Sequence, residues 1–303
     1  MRTLAGITAG LTFVVIVVGA YVRLSDAGLG CPDWPLCYGK PIPDAGEDVR
    51  AWKEMVHRYL AGGLGLLIFA LCLLAWRRRA SPWLATAIAA LVVFQATLGK
   101  WTVTMLLKPA IVVAHLAGGM TLLALLVWYF LERTSFHFPA RALRLPAAAA
   151  LSAVGLQILL GGWVSANYAA LACPDLPLCL GQAVPPMDFR NAFHVLRELG
   201  RTGEGELLPQ DALVAIQWSH RMFALVVVAA VGFAASRTWN VDRGMAALLA
   251  GLLLLQFSLG VANVALNLPL ALAAAHNAGA AALLAALVVL NFFAFRDDSS
   301  TSR

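Results

Sequence analysis

Hydrophobic residues in this chain gather into runs too long and too uniform for the amphipathic elements of a soluble core. Leu4–Val22, Tyr59–Trp76, Ala80–Gly99, Pro109–Leu131 and Leu145–Val164 carry no charge. Each approaches the ~20 apolar residues that a helix needs to cross a bilayer. Ala212–Ser236 joins them if His220 and Arg221 lie near one end. Gly244–Phe295 is uncharged but too long for one span, and Asn263 to Pro269 offer a place to turn. The pattern predicts an all-α membrane protein of eight transmembrane helices, each closing its own backbone hydrogen bonds as lipid requires. Leu4–Val22 could also be read as a signal peptide. Only Arg2 precedes it as a basic residue, and the run is long for an h-region, so it is taken as a retained first helix.

Composition agrees with a lipid solvent. The 303 residues are 61% hydrophobic and 13% charged, against about 25% charged in soluble domains. A net charge of +6 without one basic stripe gives no case for nucleic acid. Half of the 22 Lys and Arg fall in short segments around Arg77-Arg78-Arg79, including Arg2, Arg133, Arg141, Arg144, Arg237, Arg243, Arg296 and Arg303. That density marks the inner side and places both termini there, with the longer loops outside. Trp52, Trp101, Trp163 and Trp218 then fall at outer helix ends, and Trp76, Trp83, Trp128 and Trp239 at inner ends, as an aromatic belt requires.

The chain repeats itself. Cys31-Pro32-Asp33-Trp34-Pro35-Leu36-Cys37 recurs as Cys173-Pro174-Asp175-Leu176-Pro177-Leu178-Cys179, 142 positions on. His57-Arg58 recurs as His220-Arg221 at an offset of 163, and His115 as His276 at 161. Gln95-Ala96-Thr97-Leu98-Gly99 recurs as Gln256-Phe257-Ser258-Leu259-Gly260, also at 161. The offset grows because the second outer loop is longer. The expected organisation is two tandem four-helix bundles, residues 1–139 and 140–303, in the same orientation and related by a pseudo-two-fold axis along the membrane normal.

Four of the six histidines sit at matching depth near outer helix ends: His57, His115, His220 and His276. His137 and His194 fall in loops and read as solvated. An intramembrane His can simply hydrogen-bond between helices, but ionisable groups at this depth are functional candidates. Zinc would want four ligands, and no carboxylate pair or thiolate accompanies each pair. Two histidines facing across a bundle suit the axial positions of a haem iron. Small residues one turn on, Gly118, Gly119, Gly279, Ala280, Ala61 and Ala224, could thin the helix faces for a flat macrocycle, or could serve ordinary helix packing.

Four of five cysteines form two outer-loop pairs, Cys31–Cys37 and Cys173–Cys179. On an oxidising face these should be disulfides; a redox dithiol or a metal-ligand pair is the competing reading. Cys72 lies alone in a helix and reads as packing. The halves differ at Glu54, three residues before His57, whose counterpart before His220 is the neutral Gln217. A carboxylate beside a haem can move protons or stabilise a cation, which assigns chemistry to the first half and a permanent haem to the second. The alternative for Glu54 is an interfacial anchor.

Together, the eight helices, the duplicated Cys loop, Glu54-x-x-His57-Arg58, His115, His220-Arg221 and His276 resemble the haem A synthase family over residues 1–295. The resemblance implies oxidation of a methyl group of haem o to a formyl group, giving haem a for terminal oxidases, in two steps through the alcohol. It implies haem b as cofactor on His220 and His276, substrate haem o iron on His57 and His115, Glu54 as the catalytic carboxylate, and a functional Cys31–Cys37 disulfide. It leaves open whether water or dioxygen supplies the formyl oxygen. It also implies a bacterial-type plasma membrane location. Partners then fall into three classes: a haem o synthase (farnesyltransferase), an electron acceptor or donor, and a further copy of the chain. The competing function is a di-haem membrane cytochrome b passing electrons between quinol and a partner. A haem transporter ranks third, since no broken helix is apparent.

Overall fold

Eight helices long and apolar enough to cross a membrane make up most of the chain. The structure, a computed structural model, describes all residues except 45, 47, 137 and 297–303, so His137 lies outside the described residues. The helices are α1 (Arg2–Leu24), α2 (Val49–Arg77), α3 (Pro82–Thr104), α4 (Pro109–Leu131), α5 (Arg144–Ala166), α6 (Gln210–Thr238), α7 (Arg243–Ala265) and α8 (Leu270–Phe295). A 3-10 turn, Arg141–Leu143, leads into α5, and a single helical turn, Phe189–Ala192, sits in the long loop before α6. Among the described residues there is no strand, only three isolated bridges inside loops. The chain is an all-helical, multi-pass membrane protein.

The long apolar stretch divides where a turn was expected, at Leu266–Pro269. Asn267 and Leu268 adopt left-handed φ values of 57° and 61°, and the equivalent α3–α4 turn does the same at Leu106 and Leu107, with 49° and 57°. Leucine disfavours that region, and the local hydrogen bonds compensate: Leu107 N–H donates to Thr102 O at 2.8 Å, and Leu268 N–H to Asn263 O at 2.7 Å.

The uncharged run Tyr59–Trp76 is the apolar part of a longer helix. α2 begins at Val49, so it takes in Glu54 and His57 on one helix, as their spacing predicts. Its 29 residues span about 43 Å, against ~30 Å of hydrocarbon, so the helix continues into the interface. The polar segment that a hydropathy reading treats as loop is held helical by Asp48, whose side chain caps the helix by accepting from Arg50 N–H. The extra turns carry Glu54 and His57. α6 is equally long.

Neighbouring helices close two rings. α1 and α3 each pack on α2 and α4; α5 and α7 each pack on α6 and α8. The rings meet where α1 and α4 touch α8 and α4 touches α5. The largest apolar cluster fills this junction, with Leu123, Val154, Leu287 and Phe293 among its members. Within their most apolar stretches, 67% of α8 but only 22% of α4 is buried, so the halves are not equivalent in packing. At the end carrying the disulfide loops, Arg23 Nη2 donates to Ser165 O at 2.7 Å, and Tyr168 Oη donates to Asp26 Oδ1 at 3.1 Å. Both contacts join positions that correspond under the 142-residue offset.

The second disulfide loop has more to anchor it. Trp163 Nε1 donates to Ala192 O at 2.8 Å, and the buried Arg197 donates to Asn167 Oδ1 at 2.5 Å, at the carboxyl end of α5, where a helix dipole favours a cation. Cys31–Cys37 and Cys173–Cys179 are disulfide-bonded, and Cys72 is a free thiol. Mass spectrometry of non-reduced peptides should therefore recover both loop pairs as disulfides and Cys72 as alkylatable. Free thiols at both pairs in protein purified without reductant would contradict the structure.

Candidate functional site

The four histidines lie on alternate corners of the two rings. His57 is on α2 and His115 on α4, helices that share α1 and α3 as neighbours; His220 on α6 and His276 on α8 share α5 and α7. His115 and His276 are each the seventh residue of their helix. His57 and His115 lie within electrostatic reach of one another, as do His220 and His276. The expected pairs are therefore brought together. His194 is exposed in the long loop, its ring against Gly203, and takes no part.

Each imidazole rests on a glycine of a neighbouring helix. A Cβ on Gly19 of α1 would fall 2.8 Å from His57 Cε1, and one on Gly161 of α5 2.9 Å from His220 Cε1. A Cβ on Gly99 of α3 would stand 3.4 Å from His115 Cε1, and one on Gly260 of α7 3.2 Å from His276 Cε1. These glycines hold the rings in place by close approach, and inspection of the histidine helices alone does not find them. Their signal was present nonetheless: Gly19 and Gly161 share the offset of the cysteine loops, and Gly99 and Gly260 close the repeated glutamine segments. Gly118 and Gly279 have a different use from the one their spacing suggested. The space beside them is occupied by the side-chain amides of Gln95 and Gln256, so it is not open for a macrocycle.

The first-half carboxylate is buried, at 4% exposure, which removes the reading of Glu54 as an anchor reaching for water. Glu54 Oε2 accepts from Cys31 N–H at 2.9 Å, and Oε1 pairs with Arg58 Nη2 at 2.5 Å. The other nitrogen, Arg58 Nη1, donates to Asp33 O at 3.0 Å and Leu36 O at 2.7 Å. Gly30 makes this possible. A Cβ there would fall 2.5 Å from the Arg50 backbone, so only glycine lets the loop descend onto α2.

The second half keeps the clamp and loses the carboxylate. Arg221 donates through Nη1 to Asp175 O at 2.9 Å and Leu178 O at 3.1 Å, and through Nη2 to Cys173 O. Ala172 stands where Gly30 does, and Gln217 Oε1 is buried without a partner. Gln157 adds a contact with no first-half counterpart, since Val15 occupies that position: its Nε2 donates to His220 O at 3.0 Å and lies 3.5 Å from His220 Nε2. Both loops share an aspartate hinge. Asp33 accepts from Tyr38 and Gly39 N–H, and Asp175 from Leu180 and Gly181 N–H, at 2.7 and 2.8 Å in each case. The glycine amides hold both carboxyls below their ordinary range. The loops thus gain stability above that range and lose it as pH falls through the depressed values.

The donor set fits a haem. All four histidines have a buried Nδ1 with no hydrogen-bond partner, and buried polar atoms normally have one. Among the described residues no three His, Cys, Asp or Glu side chains converge as a site for a bare ion. Two imidazoles per site suffice where a porphyrin supplies the remaining four ligands. The recess lined by Trp128, Glu132, Phe292 and Arg296 lies at the opposite ends of α4 and α8 and belongs to neither site.

Residues 2–288 match the model of a family described as cytochrome oxidase assembly protein. The chain belongs to that family. Within it, the chain is 41% identical to a protein named heme A synthase from Shewanella oneidensis, over 98% of this chain and 97% of the relative. A protein of the same name from Caulobacter vibrioides is 30% identical over 96% and 94%, and one from Rhizorhabdus wittichii 28% over 93% and 90%. The family match takes in both rings and all four paired histidines.

The glycine contacts predict an order of sensitivity. Gly19→Ala and Gly161→Ala force an imidazole to move, a strain of about 1–3 kcal/mol. Gly260→Ala is intermediate, and Gly99→Ala sits at ordinary contact distance. Haem retained through purification, read by absorbance per chain, should fall most for Gly161→Ala on the second-half site. Gly99→Ala should behave as the native chain. Equal retention in Gly161→Ala and the native chain would remove the glycine contact from the account.

Proposed function

We propose that the chain is a haem A synthase, oxidising a methyl group of haem o to the formyl group of haem a. One observation carries the reading: two near-identical histidine pairs differ by a buried carboxylate present in one alone. Family membership and the names of the relatives support it. In this reading the halves, residues 1–139 and 140–303, are tandem four-helix bundles about a pseudo-two-fold axis along the membrane normal. Equivalent positions can touch only beside such an axis, and Arg23–Ser165 and Asp26–Tyr168 do. Both termini lie inside and the disulfide loops outside.

His220 and His276 hold haem b as a resident cofactor, and His57 and His115 hold the haem o iron. When bound, haem b supplies one-electron redox chemistry; the electrons of methyl oxidation pass on to a partner acceptor. The protein's part is placement and charge. The glycine contacts and Gln157 fix the imidazoles. The loops pinned by Arg58 and Arg221 limit water at the outer ends. Glu54, one turn from His57 and held by Arg58, offers a carboxylate to stabilise positive charge at the reacting carbon or to take its proton. Gln217 can do neither.

Two measurements test this. Pigment extracted from native protein should contain haem b together with haem o or haem a; haem b alone at two per chain would instead mark an electron-carrying cytochrome. His220→Ala and His276→Ala should lose haem b and lower stability, because a ligand bound only to the native state stabilises it. His57→Ala and His115→Ala should keep haem b and lose product.

Glu54→Gln separates charge from shape. It keeps an acceptor for Cys31 N–H, and it should retain haem b and bind haem o, while haem a formation falls by roughly 10²–10⁴, the usual contribution of a general acid–base. Glu54→Asp should keep partial activity. Gln217→Glu should not create activity at the second site, which haem b fills. Haem a produced at the native rate by Glu54→Gln would falsify the catalytic role.

A further inference from the structure

The rims of the two histidine sites differ in charge at three corresponding positions. Lys53 lies four residues before His57, and Lys108 lies seven before His115, so each shares a helix face with its histidine one or two turns further out. Lys100 follows Gly99, the glycine against His115. The second half has Ile216, Pro269 and Val261 in these places. Ile216 is buried in the cluster that the long loop closes with Trp163 and Ala192. The first rim has three lysines and a short loop; the second has uncharged residues in their places, of which Ile216 is buried.

Ion pairing does not account for the lysines. Among the described residues none of the three makes an ion pair. Lys53 Nζ stands 5.1 Å from the centre of the Tyr21 ring, two residues beyond Gly19. Arg50, the fourth cation nearby, is already paired with Asp48 at 2.6 Å. Lys108 is the N-cap of α4, where the helix dipole disfavours a cation. Interfacial snorkelling would serve both halves alike, and membrane proteins concentrate such cations on the inner side.

We propose that Lys53, Lys100 and Lys108 receive the carboxylates of the tetrapyrrole entering the first site, so that a haem arrives edge-on with its acidic edge outward. This rests on the reading of His57 and His115 as the substrate site. The rim distinguishes the sites by function: lysines that are exposed (Lys100) or half-buried (Lys53, Lys108) hold an anionic edge loosely enough for exchange, whereas the uncharged second rim suits a cofactor that stays.

The test uses the full chain, loaded with haem b, in discs of zwitterionic lipid. Haem o and its dimethyl ester are titrated in, and the absorbance change that His57→Ala abolishes reports the first site. The native chain should bind the free acid roughly ten-fold more tightly than the ester, as three partly exposed pairs of a few-fold each would give. K53Q/K100Q/K108Q should bind both at the ester's affinity, and arginine at the three positions should restore the difference. Retained haem b in the same samples shows that the fold is intact. Equal affinity of the native chain for acid and ester overturns the proposal. So does an equal loss for both in the glutamine variant; if that loss appears only in discs with anionic phospholipid, the lysines hold lipid headgroups. A native chain with no absorbance change dependent on His57 removes the substrate-site reading itself, and this proposal with it.

Discussion

An arginine next to a histidine governs this structure. Arg58 and Arg221 each follow a paired histidine, and each donates to carbonyls of a disulfide-closed loop. A guanidinium can do this because it offers five donors in a rigid fork, and charged donors make the stronger hydrogen bonds. The consequence is geometric. The loop cannot shift without moving the arginine, and the arginine cannot shift without turning the helix that carries the histidine. Loop closure, the outward extension of α2 and α6, and the depth of the imidazoles are therefore one constraint. The glycines of α1 and α5 complete it from the other side, leaving each ring between a fixed backbone and a fixed loop.

The two copies spend the same fork differently. With Gly30 admitting the loop and Glu54 beneath it, Arg58 divides its donors between a carboxylate and the loop carbonyls. With Ala172 and Gln217 in those places, Arg221 gives both of its terminal nitrogens to carbonyls. Two changes of residue type, Gly30 to Ala172 and Glu54 to Gln217, thus accompany a change in what the clamp holds while the clamp stays in the same place. Burying a carboxylate is costly unless it is paired and hydrogen-bonded, and Glu54 has both kinds of partner. That arrangement keeps an ionisable group at the edge of the hydrocarbon beside one histidine pair alone.

Much of this was legible in the sequence, because duplication makes position readable. The eight spans, the histidine pairs, the cysteine loops and the contrast of Glu54 with Gln217 all follow from runs, offsets and register. What escaped lies between helices or outside the apolar signal. The first turns of α2 look polar, so no apolar run marks the point where Asp48 starts the helix. Gly19, Gly99, Gly161 and Gly260 act on a neighbouring helix, and periodicity along one helix says nothing about the face it meets. Gly118 and Gly279 illustrate the converse: their spacing from a histidine suggested space for a ring, but the glutamines of α3 and α7 take it. The partners of Glu54 depend on a loop folding back over 23 residues of sequence, which no local pattern encodes.

Under the proposed function one copy retains its ligand and the other releases it, so why keep the two so alike? In that reading both histidine pairs would offer the same two imidazoles to an iron. Retention would then be decided by what surrounds the pair. A cofactor bound only to the native state adds its binding free energy to folding, so an uncharged rim and an added contact such as Gln157 on His220 would be advantageous there. A product held by the same means would leave slowly and limit turnover. The first half differs in each of these respects: it has a shorter loop, no Gln157 equivalent, a lysine rim and a carboxylate in place of an amide. The fold supplies the same histidine pair twice, and under the proposed function the side chains around it would separate holding from exchange.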